Sequence, residues 1–175
     1  MAPEEAYLSS EPPIWLLDVD GVINASRPGW GSAPRREHIW SPSDHQTYLM
    51  RWAPGLVDRI RALHASGTVE VRWCSTWCPD AEALERLWRL PPLQRALTEV
   101  PVPKGAYGWP LKVEAARAVL AGGRRLVWTD DEAVPTNGAL RDELTAAGRA
   151  LLIAPNPTRG LQPDHLDDIE AFLAS

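Results

Sequence analysis

The segment IWLLDVDGV at residues 14–22 decides how this chain folds. Four apolar residues, Ile14 to Leu17, are typical of a short buried strand, and aspartates follow at positions 18 and 20. Because a strand cannot bury two carboxylates without partners, Asp18 and Asp20 are expected where the strand ends and the chain turns. In α/β proteins that place is the carboxyl edge of a parallel sheet, where ligands bind. A plain turn containing Asp and Gly is the alternative interpretation.

The composition is typical of one globular domain covering residues 1–175. The chain is 45% hydrophobic and has a net charge of −5, which argues against a strongly basic nucleic-acid-binding protein but allows a local basic groove. Residues 1–13 lack the apolar centre of a secretory signal, and no stretch is long enough to span a membrane, so we expect a cytoplasmic protein. Cys74 and Cys78 are too few for a disulfide framework and are expected to be reduced thiols.

Apolar runs and helical patterns alternate along the chain. Strands are predicted at 14–17, 69–73, 125–129 and 150–154, and helices at 54–65, 79–90, 110–120, 135–147 and 163–173. This alternation predicts an α/β fold with three layers, a doubly wound parallel sheet with helices on both faces. Residues 24–53 interrupt the alternation, and a loop of that length is usually functional. We expect a flap or small β-hairpin there, which would form a minimal cap over the site.

Further polar residues follow the later predicted strands or begin a helix beside them. They are Ser75, Thr76, Lys112, Asp130 and Asp131. In a doubly wound sheet these positions converge on the edge that carries Asp18 and Asp20. Each group has an ordinary alternative: a helix cap for the Ser–Thr pair, a solvated surface lysine, and an acidic turn for the Asp–Asp pair.

The combination of these residues suits the transfer of a phosphate group. A phosphate monoester is a dianion that repels a carboxylate, and Mg²⁺ held by hard oxygen ligands neutralises that repulsion. Asp18 would attack phosphorus and form an aspartyl-phosphate, while Asp20 would act first as an acid and then as a base. Ser75 and Lys112 would bind the phosphate oxygens. The pair at 130–131 would hold the metal, with the second aspartate acting directly or through water.

These residues resemble the motifs of the haloacid dehalogenase superfamily of aspartate-nucleophile phosphotransferases. The residues that carry the resemblance are the segment at 18–22, Ser75, Lys112 and the pair at 130–131. The resemblance implies that the backbone carbonyl of Asp20 also binds Mg²⁺. The implied metal ligands are therefore Asp18, Asp20, Asp130 and Asp131. It also implies a phosphatase rather than a dehalogenase, because dehalogenases lack the acid found at position 20.

Longer segments resemble, more narrowly, the phosphatase domains of Swiss Army knife RNA repair proteins. They are LDVDGVIN at 17–24, WCSTW at 73–77, WTDDE at 128–132 and Gly160-Leu161. This resemblance implies a DNA or RNA 3′-phosphate end as the substrate and a role in nucleic acid repair. A small metabolite or nucleotide is the alternative substrate. A non-catalytic module that binds phosphate ends is the alternative outside the enzymes.

Some residues are predicted to contact the substrate beyond the reacting phosphate. They are Thr76, Arg35, Arg36, Lys104 and Arg159. Arg35 and Arg36 lie in the flap among tryptophans, a combination that holds single strands, although a solvated flap is the alternative. Lys104 shortly precedes Lys112 and is the second candidate for its role. Arg159 follows the last predicted strand.

Overall fold

The computed structural model describes residues 10–175, and a parallel sheet forms their centre. Its five strands are β1 (Ile14–Leu17), β4 (Glu70–Trp73), β5 (Gln94–Arg95), β6 (Leu126–Thr129) and β7 (Ala150–Ile153). They lie in the order β5-β4-β1-β6-β7, and every neighbouring pair is parallel. All residues of β1 and β6 are buried, as expected for central strands that are covered on both faces.

Helices cover both faces of this sheet. Within the described range they are α1 (Pro54–Ala65), α2 (Ala81–Trp88), α3 (Trp109–Ala121), α4 (Ala139–Thr145) and α5 (Pro163–Ala174). Ion pairs from Arg59 to Asp167 and Glu170 join α1 to α5, and the Arg117–Glu143 pair joins α3 to α4. After β1 the chain passes through α1 to β4, on one side of β1. It later passes through α3 to β6, on the other side of β1. Right-handed crossovers therefore place α1 and α3 on opposite faces.

The core between the layers is rich in tryptophan. Its largest fully buried side chains are Trp15, Trp73, Trp88 and Trp128. Trp73 Nε1 donates a hydrogen bond to Glu85 Oε1 at 3.0 Å, and the same oxygen accepts the backbone N–H of Leu93 at 2.9 Å. The buried Glu85 carboxylate therefore fastens α2 to β4 and fixes the chain as it enters β5.

A β-hairpin occupies most of the segment that interrupts the alternation. β2 (Arg35–Ser41) pairs antiparallel with β3 (Gln46–Trp52). One face of the hairpin packs on α2, where the Trp52 and Trp88 rings lie 6.1 Å apart edge to face. The buried Asp80 carboxylate accepts hydrogen bonds from Ser41 Oγ at 2.5 Å and Ser43 Oγ at 2.6 Å. These contacts fasten the hairpin turn beside the 3₁₀ turn Cys78–Asp80 that precedes α2.

The predicted α/β architecture, a parallel sheet flanked by helices, is confirmed. The four predicted strands match β1, β4, β6 and β7 to within one residue. The helix predicted at 79–90 begins at Ala81 because a 3₁₀ turn takes up its start, and the helix predicted at 135–147 begins only after Gly138, whose φ of 82° is not helical. The two-residue β5 is too short to give a pattern.

Two further predictions concern the chain as a whole. Residues 1–9 of the predicted lead-in lie outside the described residues. In the range that is described, no helix is both long enough and apolar enough to cross a membrane.

Candidate active site

The strand order reverses between β1 and β6, so the residues that follow these strands lie at the switch point of the sheet. Leu17 pairs with Thr129 in register, and the backbone N–H of Asp18 donates to the Thr129 carbonyl at 3.1 Å. Asp18 and Asp130 therefore leave their strands side by side. On the other side of β1, the N–H of Cys74 donates to the Leu17 carbonyl at 2.9 Å. The turn after β4 thus reaches the same edge.

Lys112, in the first turn of α3, joins the two aspartates. Its Nζ lies 3.1 Å from Asp18 Oδ2 and 2.5 Å from Asp130 Oδ2. The other oxygen of Asp130 accepts the backbone N–H groups of Glu132 at 3.0 Å and Ala133 at 2.7 Å. All three charged side chains are buried, Asp130 completely. Such a buried group of charges is tolerated because each charge has partners.

Burial and neighbouring charges act on these groups in opposite directions. Burial, followed by repulsion from Asp130, raises the pKa of Asp18 well above its ordinary value, although the Lys112 ammonium acts against this rise. Burial alone would lower the pKa of Lys112, but attraction to Asp18 and Asp130 outweighs it and holds that pKa above its ordinary value. Lys112 therefore remains an ammonium at neutral pH.

Asp131 completes a group of three carboxylates. One oxygen each from Asp18, Asp130 and Asp131 lies within 4.8 Å of the others, close enough to share a metal ion. Gly21 provides the space, since its φ is 74° and a Cβ there would lie 2.3 Å from Asp131 Oδ2. Burial, followed by repulsion from Asp130 and Glu132, raises the pKa of Asp131 to about 6.

The Asp20 side chain stands outside this group and is exposed. Its Oδ1 accepts Asn24 Nδ2 at 2.8 Å, and its Oδ2 accepts Trp77 Nε1 at 3.0 Å. Both donors are supported by the hairpin. Asn24 Oδ1 accepts the Arg51 N–H at 2.8 Å, and the Trp77 ring packs edge to face on Tyr48 at 5.3 Å. The orientation of the Asp20 carboxylate is therefore set by side chains that the hairpin supports.

Ser75 and Thr76 occupy the turn that follows β4. Ser75 is buried, and its Oγ accepts the backbone N–H of Trp77 at 3.2 Å. This bond uses a lone pair and leaves the hydroxyl proton able to donate to a bound group. Thr76 is half-buried, and its side chain makes no hydrogen bond within the described residues.

The structure brings some of the predicted site residues together and separates others. Lys104 Nζ lies 2.8 Å from Asp44 Oδ2 and is largely exposed, so it joins the loop before α3 to the hairpin. Lys112, rather than Lys104, contacts the aspartates. Arg35 and Arg36 lie on opposite faces of the hairpin, because successive side chains of a strand alternate.

Asn24 and Trp77 were not among the predicted site residues, although both orient Asp20. The sequence indicates these two residues only by their closeness along the chain to predicted site residues. Asn24 follows Asp20 by four residues, and Trp77 follows Ser75 by two. Neither residue type suggests such a role without the fold. Comparison of the chain with protein-family models, with curated proteins and with solved structures found no match.

Proposed function

We propose that this protein is a Mg²⁺-dependent phosphomonoesterase that works through an aspartyl-phosphate on Asp18. The observation that carries the proposal is the contact of one buried ammonium with two carboxylates. Lys112 Nζ lies 3.1 Å from Asp18 and 2.5 Å from Asp130, where two adjacent parallel strands end. The cation favours the anionic, nucleophilic form of Asp18, and it lies where it can also bind a phosphate oxygen.

The group of three carboxylates fits a divalent cation. Three oxygens lie within 4.8 Å of one another, and Lys112 provides a single positive charge against them. Burial and mutual repulsion raise the pKa of Asp18 and of Asp131, as expected where negative charge is in excess. Carboxylate oxygens are the ligands that Mg²⁺ prefers, and bound Mg²⁺ would neutralise the repulsion between Asp18 and a phosphate dianion.

Side chains of this protein carry out both chemical steps of the proposed reaction. An oxygen of Asp18 bonds to phosphorus while the bond from phosphorus to the ester oxygen breaks, and the leaving oxygen takes a proton from Asp20. Asp20 then takes a proton from water, whose oxygen attacks phosphorus. This step releases phosphate and restores the Asp18 carboxylate. Lys112 and the Ser75 hydroxyl donate hydrogen bonds to the phosphate oxygens throughout.

The resemblance to the haloacid dehalogenase superfamily supports the same assignment, and the hairpin at 35–52 would then be its minimal cap. Within the phosphatases, the narrower resemblance to RNA repair proteins implies a polynucleotide 3′-phosphate end as substrate. A nucleotide or small metabolite ester is the alternative substrate. A module that binds a phosphate end without turnover is the alternative outside the enzymes.

The experiment measures phosphate release from 4-nitrophenyl phosphate and from an oligonucleotide with a 3′-phosphate, in the presence and absence of Mg²⁺. We expect Asp18→Asn to lower turnover by at least about 10³-fold, or about 4 kcal/mol, because an amide is a poor nucleophile. Asp168→Asn, an exposed change on α5, is the matched control. Near-normal turnover by Asp18→Asn would show that Asp18 is not the nucleophile. Absence of turnover by the wild type on both esters would favour the binding module.

A further inference from the structure

The hairpin carries two arginines at directly opposed positions. Arg36 of β2 pairs with Arg51 of β3 in the antiparallel register. Side chains of directly opposed residues project from the same face of a sheet. The next pair, Arg35 and Trp52, projects from the other face, where Trp52 packs against the core.

No acidic group among the described residues pairs with these two charges. Within the described part of the chain, neither guanidinium makes a hydrogen bond or an ion pair. Like charges at opposed positions destabilise a hairpin. Other arginines of this chain do have acidic partners, namely Arg59, Arg61, Arg72, Arg86, Arg95, Arg117 and Arg124. With a net charge of −5, the chain does not lack acids for such pairs.

Two more arginines extend this surface along the chain. The N–H of Ala25 donates to the Arg51 carbonyl at 3.1 Å, and the N–H of Arg27 donates to the Thr158 carbonyl at 2.8 Å. Segment 25–27 therefore runs from β3 to the loop at 156–160. In that loop the Arg159 guanidinium lies against Gly29, where a Cβ would be 3.4 Å from Nη2.

These four residues, Arg27, Arg36, Arg51 and Arg159, are named the arginine surface. Within the described residues the Arg27 guanidinium has no partner. Among the described residues, the Arg159 guanidinium makes one hydrogen bond, to the neutral amide of Gln162 at 3.4 Å. The surface therefore carries four positive charges that no carboxylate among the described residues neutralises.

The backbone of Arg51 connects the arginine surface to Asp20 through Asn24. The Asn24 side chain accepts the Arg51 N–H and donates to Asp20 Oδ1, each at 2.8 Å. One asparagine side chain therefore separates the Arg51 backbone from the Asp20 carboxylate. In the proposed reaction Asp20 gives its proton to the leaving oxygen. The Arg51 backbone, from which this surface projects, therefore lies near the alcohol portion of the substrate.

We propose that the arginine surface binds a second phosphate of the substrate, carried on the alcohol that leaves. This inference rests on the proposed phosphomonoesterase function. Guanidinium groups bind phosphate through paired, charge-assisted hydrogen bonds, and a bound phosphate would relieve the repulsion between Arg36 and Arg51. A second phosphate is present in a polynucleotide end and in a nucleoside bisphosphate. It is absent from a simple aryl phosphate.

The kinetic test compares the wild type with the Arg36→Ala/Arg51→Ala double variant. The substrates are an oligonucleotide with a 3′-phosphate, a nucleoside 3′,5′-bisphosphate and 4-nitrophenyl phosphate. We expect kcat/KM for the oligonucleotide to fall about 10- to 100-fold, mainly through KM, with the aryl phosphate changed less than about twofold. Arg86→Ala, which removes an exposed arginine paired with Glu82 on α2, is the control.

The pattern of losses identifies the source of the second phosphate. A loss on both the bisphosphate and the oligonucleotide supports a subsite that reads one nucleotide. A loss on the oligonucleotide alone supports a subsite for a polynucleotide. Equal losses on all three substrates, or no loss on any, would overturn the inference. Arg36→Lys/Arg51→Lys keeps the charge and should recover part of the loss on the phosphate-bearing alcohols.

A binding measurement separates this inference from the proposed function. Fluorescence anisotropy follows a labelled oligonucleotide with a 3′-phosphate on Asp18→Asn, with and without the two arginine changes. Losing the contacts with this one phosphate should flatten the plot of log K against log salt by about 0.7. If the wild type hydrolyses no ester while binding depends on the arginines, the phosphatase is contradicted and the surface is supported. Ester hydrolysis with binding indifferent to the arginines would contradict the surface alone.

Discussion

The carboxyl edge of the sheet and the hairpin at 35–52 hold their charges in different ways. At the sheet edge Lys112 and Asp130 are 7% and 0% exposed, and one ammonium contacts two carboxylates. At the hairpin the Lys104–Asp44 pair has side chains that are 63% and 27% exposed. Removing one charge of a buried group leaves the others without a partner and strongly destabilises the fold, whereas exposed ion pairs contribute little to stability. The buried charges of the sheet edge are therefore suited to holding catalytic groups in one geometry, and the exposed charges of the hairpin are suited to binding a ligand.

The largest expected effect comes from replacing the buried lysine of the sheet edge, and replacing the exposed lysine beside the hairpin gives the comparison. Lys112→Met leaves Asp18 and Asp130 buried without their cation, which should lower the free energy of unfolding by about 3–5 kcal/mol in metal-free buffer. Lys104→Met, the matched change, removes an exposed and solvent-screened pair and should cost about 0–1 kcal/mol. Urea denaturation of both variants measures the difference.

Magnesium sharpens this comparison. Because Mg²⁺ would partly replace the missing positive charge, it should stabilise Lys112→Met more than it stabilises the wild type, and it should leave Lys104→Met unchanged relative to the wild type. Equal losses of stability in the two lysine variants would show that the buried and exposed pairs do not differ. The distinction between the two regions would then have no energetic basis.

The positions at the sheet edge were largely predictable from the sequence, and so was a flap or small hairpin within residues 24–53, but the contacts of that hairpin were not. Asp18, Lys112 and Asp130 follow apolar runs or begin a helix, and the edge of a parallel sheet brings such positions together whatever the loops do. In the structure Lys112 Nζ lies 3.1 Å from Asp18 Oδ2 and 2.5 Å from Asp130 Oδ2. Nothing in the sequence distinguishes Lys104 from Lys112 except the regularity of the helix around the second, and that regularity proved the better guide.

The hairpin contacts depend on register, which short strands reveal poorly. Residues 35–52 are mostly polar, so their pattern does not show which side chains face the core. The opposed pair Arg36–Arg51 and the separation of Arg35 from Arg36 follow only from the pairing of β2 with β3. Asp80, which anchors the turn, precedes α2 and reads in the sequence as an ordinary helix-start residue.

A smaller effect is expected at Trp77, where the two regions meet. Trp77→Phe keeps the ring against Tyr48 but removes the hydrogen bond to Asp20 Oδ2, so the acid is less well oriented. We expect turnover of an alkyl phosphate, whose leaving oxygen needs a proton, to fall about tenfold. Turnover of 4-nitrophenyl phosphate, which leaves readily without one, should fall much less. Steady-state kinetics on the two esters measures this split.

Trp30→Phe is the matched control, because Trp30 Nε1 donates its hydrogen bond to the Leu161 carbonyl at 2.9 Å and not to Asp20. Trp30→Phe should change the turnover of the alkyl phosphate and of 4-nitrophenyl phosphate by the same factor. If Trp77→Phe also lowered both rates equally, Trp77 would act through packing rather than by positioning the acid, and the hairpin would have no specific connection to the chemistry.

The smallest expected effect is a pH dependence at Asp131. Its pKa in the folded protein without metal is about 6, above the ordinary 3.8, chiefly because of burial. Between pH 3.8 and pH 6, Asp131 is mostly ionised in the unfolded chain but still mostly protonated in the folded chain. This group's contribution to stability is therefore full below pH 4 and is lost as the pH rises towards 6. Asp131→Asn should remove that contribution to the pH dependence.

The difference between variant and wild type is the quantity to measure for Asp131. Carboxylates with a lowered pKa, such as Asp44 and Glu143, make stability rise with pH and so mask the effect in a single curve. Thermal unfolding of both proteins in EDTA from pH 4 to 7 should show the stability of Asp131→Asn increasing relative to that of the wild type as the pH rises. Mg²⁺ should reverse this gain above pH 6, where it would bind the ionised carboxylate. Parallel curves in EDTA would mean that folding does not raise the pKa of Asp131.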